Sequence, residues 1–124
     1  MAPKRKRKRI LFVEDDEDAR EVVALNLAGY KLICARNFEE GLRLSRGSDF
    51  DLYILDNWLP DGTGVELCRR IREFDQRTPI LIYSAAAHER DIQEGLSAGA
   101  QVYLVKPVSF EELEEAVEKL TSSD

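Results

Sequence analysis

The chain has 124 residues, 44% hydrophobic and 34% charged, which is the size and balance of one globular domain, leaves these residues no room for a second and excludes a disordered chain. Two cysteines outside any CxxC pair exclude a disulfide framework, and no run approaches the roughly 18 apolar residues of a membrane span. The net charge of −6 is uneven: the run at 4–9 holds six of the 18 basic residues, and the remainder carries 12 against 24 acidic ones, which argues against nucleic-acid binding by the acidic body.

The first nine residues, Met-Ala-Pro and six bases, lack a secretory apolar segment, so the chain is expected to be cytoplasmic. Residues 1–8 read as a basic tail, solvated and disordered, because six charges without aromatic or amphipathic pattern give no specific readout. A polyanion-binding or address role is the other reading of that run. A single domain is expected over 9–121, with 122–124 as a C-terminal tail.

Five short apolar runs then alternate with helical patterns. Ile10–Val13 is the first run, and a helix over about 17–28 follows, with Val22, Val23 and Leu27 on one stripe and Gly29 as its stop. The second run is Leu32–Ala35, and Asn37 with Glu40 caps a helix over about 38–46. Leu52–Leu55 precedes a flexible loop, Asp61-Gly-Thr-Gly64, and a helix over about 64–75 carrying Leu67, Cys68, Ile71 and Phe74. Ile80–Tyr83 precedes a helix over about 88–98 with Ile92, Leu96 and Ala98, ending at Gly99. Val102–Val105 precedes a last helix capped by Ser109 with Glu112, whose stripe is Leu113, Ala116, Val117 and Leu120. Cys34 and Cys68 read as small buried apolar residues, and His88 as solvent-facing. Gly95 reads either as a weak point in its helix or as a packing site.

Runs that are continuously apolar rather than alternating suit strands covered on both faces. Five βα units with short connections imply an α/β fold: a doubly wound, five-stranded parallel sheet with five helices, flavodoxin-like, in strand order 2-1-3-4-5. Sites in such sheets form at the C-terminal strand ends. Those ends carry Glu14-Asp15-Asp16, then Asp56, then Ser84, then Lys106-Pro107. Asp16, Glu17 and Asp18 are what a helix N-terminus favours, but that leaves Asp56 and Lys106 unexplained. Carboxylates gathered together raise one another's pKa, and a hard divalent cation, Mg2+ or alternatively Mn2+, explains keeping them. Lys106 offers a point charge to an anionic oxygen, and Ser84 offers a neutral donor. The set suits phosphoryl transfer to the Asp56 carboxylate.

The segments Ile10-Leu-Phe-Val-Glu-Asp-Asp16, Leu55-Asp-Asn-Trp-Leu-Pro-Asp-Gly62, Tyr83-Ser-Ala85 and Tyr103-Leu-Val-Lys-Pro107 together resemble the receiver domain of two-component response regulators, over about residues 9–121. The resemblance implies that Asp56 is the phosphoacceptor. It implies a metal held by Asp15 directly, Glu14 through water, Asp56, and the backbone carbonyl of Trp58. Ser84 and Lys106 would bind the phosphoryl group, Tyr103 would be the aromatic switch that follows Ser84, and the bond before Pro107 would be cis. Trp58 and Ala86 flank the path of an attacking water in related domains, so the bulk of one and the apolar side chain of the other are expected to slow hydrolysis of the acyl phosphate.

The implied partners are a histidine kinase or histidine phosphotransfer protein and a downstream effector. The effector would be read by the face of the fourth helix, fifth sheet strand and fifth helix. A homodimer is a further expectation; direct DNA binding and membrane association by the domain are not expected. Segment 99–102 and the last helix lack the charged groups of the winged-helix subclass's dimer interface. The domain is not expected to be an enzyme beyond assisting its own phosphorylation and dephosphorylation. Two alternatives remain: a pseudo-receiver that docks partners without phosphorylation, and an aspartyl-phosphate phosphatase. The phosphatase would need a second carboxylate where Trp58 stands, and the pseudo-receiver would not need the acids, Asp56, Ser84 and Lys106 together.

Overall fold

The structure, a computed structural model, describes residues 7–122; most of the expected basic tail and the last two residues lie outside the described residues. Five parallel strands form one sheet: β1 (Arg9–Val13), β2 (Lys31–Ala35), β3 (Leu52–Leu55), β6 (Ile80–Ser84) and β7 (Val102–Val105), in the order β2-β1-β3-β6-β7. Counting sheet strands alone, this is the expected 2-1-3-4-5. Helices α1 (Glu17–Asn26), α2 (Phe38–Gly47), α3 (Gly64–Arg72), α4 (Glu89–Ser97) and α5 (Phe110–Thr121) connect them.

Alternation of side chains along each strand sorts the apolar residues into two layers. Leu11, Val13, Tyr53, Leu55, Ile80 and Ile82 pack with Leu42, Leu67, Cys68 and Ile71 under α2 and α3. Ile10, Phe12, Leu52, Ile54 and Leu81 pack with Val23, Leu27, Leu113 and Val117 under α1 and α5. Burying each such side chain contributes about 1.5–3 kcal/mol, so both faces of the sheet drive folding.

Most helices start where their caps predict. Asp16, Asn37, Thr63 and Ser109 accept from the amides of Ala19, Glu40, Glu66 and Glu112 at 2.8–3.1 Å. At α4, Asp91 instead accepts from the His88 amide, and His88 is exposed as expected.

Several sequence expectations need correction. Val22, Phe74 and Leu96 remain 43%, 42% and 41% exposed. Val22 and Leu96 sit at the margins of their helix faces, beside Val23 and Gly95, which do face the core. Phe74 lies beyond the end of α3, under the Arg46 guanidinium. Cys34 is exposed because β2 is an edge strand, whereas Cys68 is buried. Gly29 does not stop α1 with a left-handed turn; Leu27 caps it, its amide bonding the Val23 carbonyl. Gly99 alone among the described residues has a positive φ, +115°.

The segment expected as a flexible loop, 61–64, instead supplies the second strand of a short antiparallel hairpin, β4 (Trp58–Leu59) with β5 (Gly62–Thr63), and the first residue of α3. Asp61 pins it to α2, accepting from the amides of Phe38 at 2.7 Å and Glu39 at 3.0 Å. These are two of the unpaired N–H groups at that helix's N-terminus, which favours a carboxylate. Burial opposes the charge on Asp61, but the backbone amide bonds together outweigh it and hold the carboxyl below its ordinary pKa.

Candidate functional site

The parallel register brings the ends of β1, β3, β6 and β7 to one edge. Beyond β1, the Glu14 amide still bonds the Ala35 carbonyl, and beyond β3 the Asp56 amide bonds the Val13 carbonyl at 3.0 Å. Glu14 and Asp56 are therefore set by sheet pairing rather than by free loops. Glu14, Asp15 and Asp56 each offer a carboxylate oxygen, and these oxygens lie within 4.8 Å of one another. Glu14 and Asp56 are buried, at 2% and 6% exposure, while Asp15 is open to solvent. Asp16, next in sequence, is used as the α1 cap.

Lys106 balances part of this charge. Its Nζ donates to Glu14 Oε1 at 3.0 Å and lies 3.9 Å from Asp56 Oδ1. Its ammonium also sits 4.8 Å from the centroid of the Tyr83 ring. Burial pushes the Glu14 carboxyl up, with the neighbouring Asp56 charge adding to it; the bonds from Lys106 and the Asp16 amide only partly counter this. For Lys106, burial opposes the charge, but the Glu14 bond and the Asp56 and Glu14 charges outweigh it and raise the pKa. Lys106 is thus a cation held by two acids, and the acids are under-neutralised by a single cation.

Such a donor set fits a divalent ion. The three clustered groups are all oxygen donors, two fixed by the sheet and one facing water, as a hard cation that keeps part of its hydration requires. The Lys106–Pro107 bond is cis.

Ser84, with no exposure, ends β6. Its carbonyl accepts from the Lys106 amide at 2.8 Å, so the two site residues are joined through the backbone. Its Oγ accepts from the Ala86 amide at 3.2 Å, and the Ala86 carbonyl accepts from the Tyr103 hydroxyl at 2.6 Å. Ala86 thus connects the Tyr103 hydroxyl to Ser84. Burial raises the Tyr103 hydroxyl's pKa. Gly95 of α4 lies over Tyr103: a Cβ there would meet the Tyr103 ring at 2.8 Å and Ile82 at 2.9 Å. Gly95 is a packing site for that ring.

Trp58 opens the β4–β5 hairpin two residues after Asp56, with 57% of its surface exposed. Glycine is required at the other end of this hairpin, since a Cβ on Gly64 would fall 2.4 Å from the Asp56 carbonyl oxygen.

Three residues of the site escaped the sequence reading. Asn57 is buried, accepts from the Val65 amide at 3.1 Å through its side chain, and takes the Gly64 amide on its carbonyl. It ties the Asp56 turn to the start of α3; an asparagine ahead of a turn was the available signal. Arg20 donates to the Glu14 carbonyl at 2.8 Å; its position one turn into α1 was the only hint. Tyr83 stood only as the end of the apolar run Ile80–Tyr83, with no role of its own.

The family profile described as Response regulator receiver domain matches residues 10–118. The transcriptional regulatory protein AfsQ1 of Streptomyces coelicolor is 42% identical over 101 residues, covering 80% of this chain and 44% of that protein. Response regulator ArlR of Staphylococcus haemolyticus is 39% identical, covering 84% of this chain and 48% of that protein. The chain thus spans about half the length of these curated relatives. Among solved structures, chemotaxis protein CheY4 of Vibrio cholerae superposes with a TM-score of 0.87 at 30% identity, covering 93% of this chain and 99% of that one. Response regulator TrrA of Thermotoga maritima, solved in complex with Mg2+-BeF, has a TM-score of 0.82 and 36% identity, covering 91% and 98%.

Proposed function

The chain belongs to the response regulator receiver domain family of two-component systems, and from that premise we propose that Asp56 is its phosphoacceptor and that phosphorylation switches a protein-binding face. The observation that carries this reading is the meeting of Glu14, Asp15 and Asp56 with the Lys106 ammonium at one sheet edge.

An Asp56 carboxylate oxygen attacks the phosphorus of a phosphohistidine or a small acyl phosphate. The bond from phosphorus to the donor breaks, the donor leaves with the electron pair, and an acyl phosphate remains on Asp56. Glu14, Asp15, Asp56 and the Trp58 carbonyl would hold a divalent cation, Mg2+ or Mn2+. Held there, such an ion would supply charge neutralisation at the phosphoryl oxygens. Lys106 gives up its bond to Glu14 and pairs with one phosphoryl oxygen, while the Ser84 hydroxyl donates to another. Ser84 must then reorganise its contact with Ala86, and through Ala86 the change reaches Tyr103 and α4. The ligand biases two arrangements that the domain already samples.

The donor would be a histidine kinase or a histidine phosphotransfer protein, and the effector would read the face of α4, β7 and α5. Relatives named as transcriptional regulators favour an output of that kind in the whole protein. Among the described residues no helix is long and apolar enough to cross a membrane. The domain is a switch rather than an enzyme acting on other substrates. A pseudo-receiver would not require the carboxylate, hydroxyl and ammonium groups to converge. A phosphatase would require an acid where Trp58 stands.

Incubation with acetyl phosphate and Mg2+, read by intact mass, should add one phosphoryl group. Asp56→Asn should remain unlabelled, and equal labelling of that variant would sink the assignment.

A further inference from the structure

We propose that Tyr83 is a positioning residue for Lys106: its ring face keeps the ammonium at the carboxylate cluster while the ammonium passes from Glu14 to an incoming phosphoryl oxygen. The proposal rests on the reading of Asp56 as phosphoacceptor.

Tyr83 immediately precedes Ser84 on β6, and alternation along the strand sends the two side chains to opposite faces. Ser84 lies on the layer of Ile80 and Ile82, whereas Tyr83 packs with Leu81, Phe12 and Val23 under α1. On that side the Lys106 ammonium stands 4.8 Å from the ring centroid, within reach of a cation–π attraction. Tyr83 and Lys106 together wall a cleft of about 250 Å³ whose other lining residues are Asp18, Ala19, Val22 and Val23.

The resting position of Lys106 depends on Glu14, at 3.0 Å. That contact cannot survive the reaction, because Glu14 is needed by the cation and Lys106 by the phosphoryl group. A lysine on a four-carbon stem has many rotamers, and a third acid, Asp18, lines the same cleft. Unlike Glu14 and Asp56, the ring is a neutral partner of the ammonium. It attracts the ammonium without competing for it as a carboxylate does, so it persists through the exchange. Tyr83 on one face of β6 and Ser84 on the other thus serve the same phosphoryl group, one through Lys106 and one by its own hydroxyl.

The test compares wild type, Tyr83→Leu and Tyr83→Phe, with Asp56→Asn as control. The rate of phosphorylation is measured against acetyl phosphate concentration at fixed Mg2+. Separately, metal-free protein is treated with a limiting acylating reagent, and modification of Lys106 is mapped relative to Lys31 and Lys119, both exposed. Tyr83→Leu should raise the half-saturating donor concentration about threefold to tenfold, with a smaller change in maximal rate. It should also raise acylation of Lys106 relative to the other two lysines, a ratio that general loosening of the fold would not single out. Tyr83→Phe, which keeps the ring, should match wild type in both measurements. Leucine behaving like wild type, or phenylalanine failing like leucine, overturns the proposal. Failure of wild type itself to label on Asp56 overturns the functional reading instead, and the acylation ratio still decides whether Tyr83 holds Lys106.

Discussion

Trp58 and Ala86 were paired by the sequence as residues that slow loss of the phosphoryl group, but the structure gives them different standing. Trp58 is 57% exposed and stands two residues from Asp56, where an indole can shade the carboxylate from water. Ala86 is 7% exposed, and both its backbone groups are engaged, one by Ser84 and one by Tyr103. A glutamate at 86 would disturb that link as well as add a polar group, so Trp58 is the cleaner place to intervene. Trp58→Asn should speed phosphoryl loss by about threefold or more, which is roughly 0.7 kcal/mol of barrier. The measurement is decay of the phosphorylated mass after removal of donor; unchanged or slower decay would count against shading. At this scale the strand-end rule made Asp56, Ser84 and Lys106 legible, because each follows an apolar run. Tyr83 was not legible, since an aromatic inside a strand looks like core until the residue beside it in space is known.

Between elements, the site depends on connections that hold strand ends in place from a distance. Arg72, the last residue of α3, donates to the carbonyls of Gly99, Asp75 and Thr78 and to Gln101 Oε1, all at 2.8–3.1 Å. Gln101 Oε1 also takes the Ile80 amide, at 2.7 Å. One guanidinium thereby joins α3, the entry to β6 and the turn between α4 and β7. Arg72→Ala should cost about 2–3 kcal/mol in urea unfolding, since three half-buried carbonyls lose a charged donor. Arg72→Lys should recover little, because an ammonium cannot reproduce the planar fork. A loss below about 0.5 kcal/mol would mean that water replaces these bonds. Arg72 looked like one more basic residue near a helix end. Its role needs the α4–β7 turn, 27 residues away, which no local pattern reports.

For the whole molecule, folding and charge oppose one another at the site. Three carboxylates are held together with one ammonium close by, an arrangement that weakens the fold until a cation shares the charge. Mg2+ should therefore raise the unfolding temperature. At a hundredfold excess over its dissociation constant the gain should be about 2.7 kcal/mol, and chelation should remove it. Asp15→Asn should abolish most of the effect with little change in the metal-free protein, because Asp15 is exposed. An identical shift in that variant would place the ion elsewhere.

By itself the sequence determined the alternating βα order, the capping residues Asn37 and Ser109, and which strand ends carry chemistry, because hydrophobic period and turn residues act over a few positions. The buried faces were less legible: Val22, Phe74, Leu96 and Cys34 are apolar in sequence yet exposed, since burial depends on which neighbour covers a side chain. Only the tertiary structure decided the hairpin pinned by Asp61, the link from Ser84 through Ala86 to Tyr103, and the seat of Lys106 between Glu14 and Tyr83. Each of these is a contact between segments far apart in the chain. Parallel register and helix packing bring them together to within a few ångströms, and that distance sets the charges and bonds of the site.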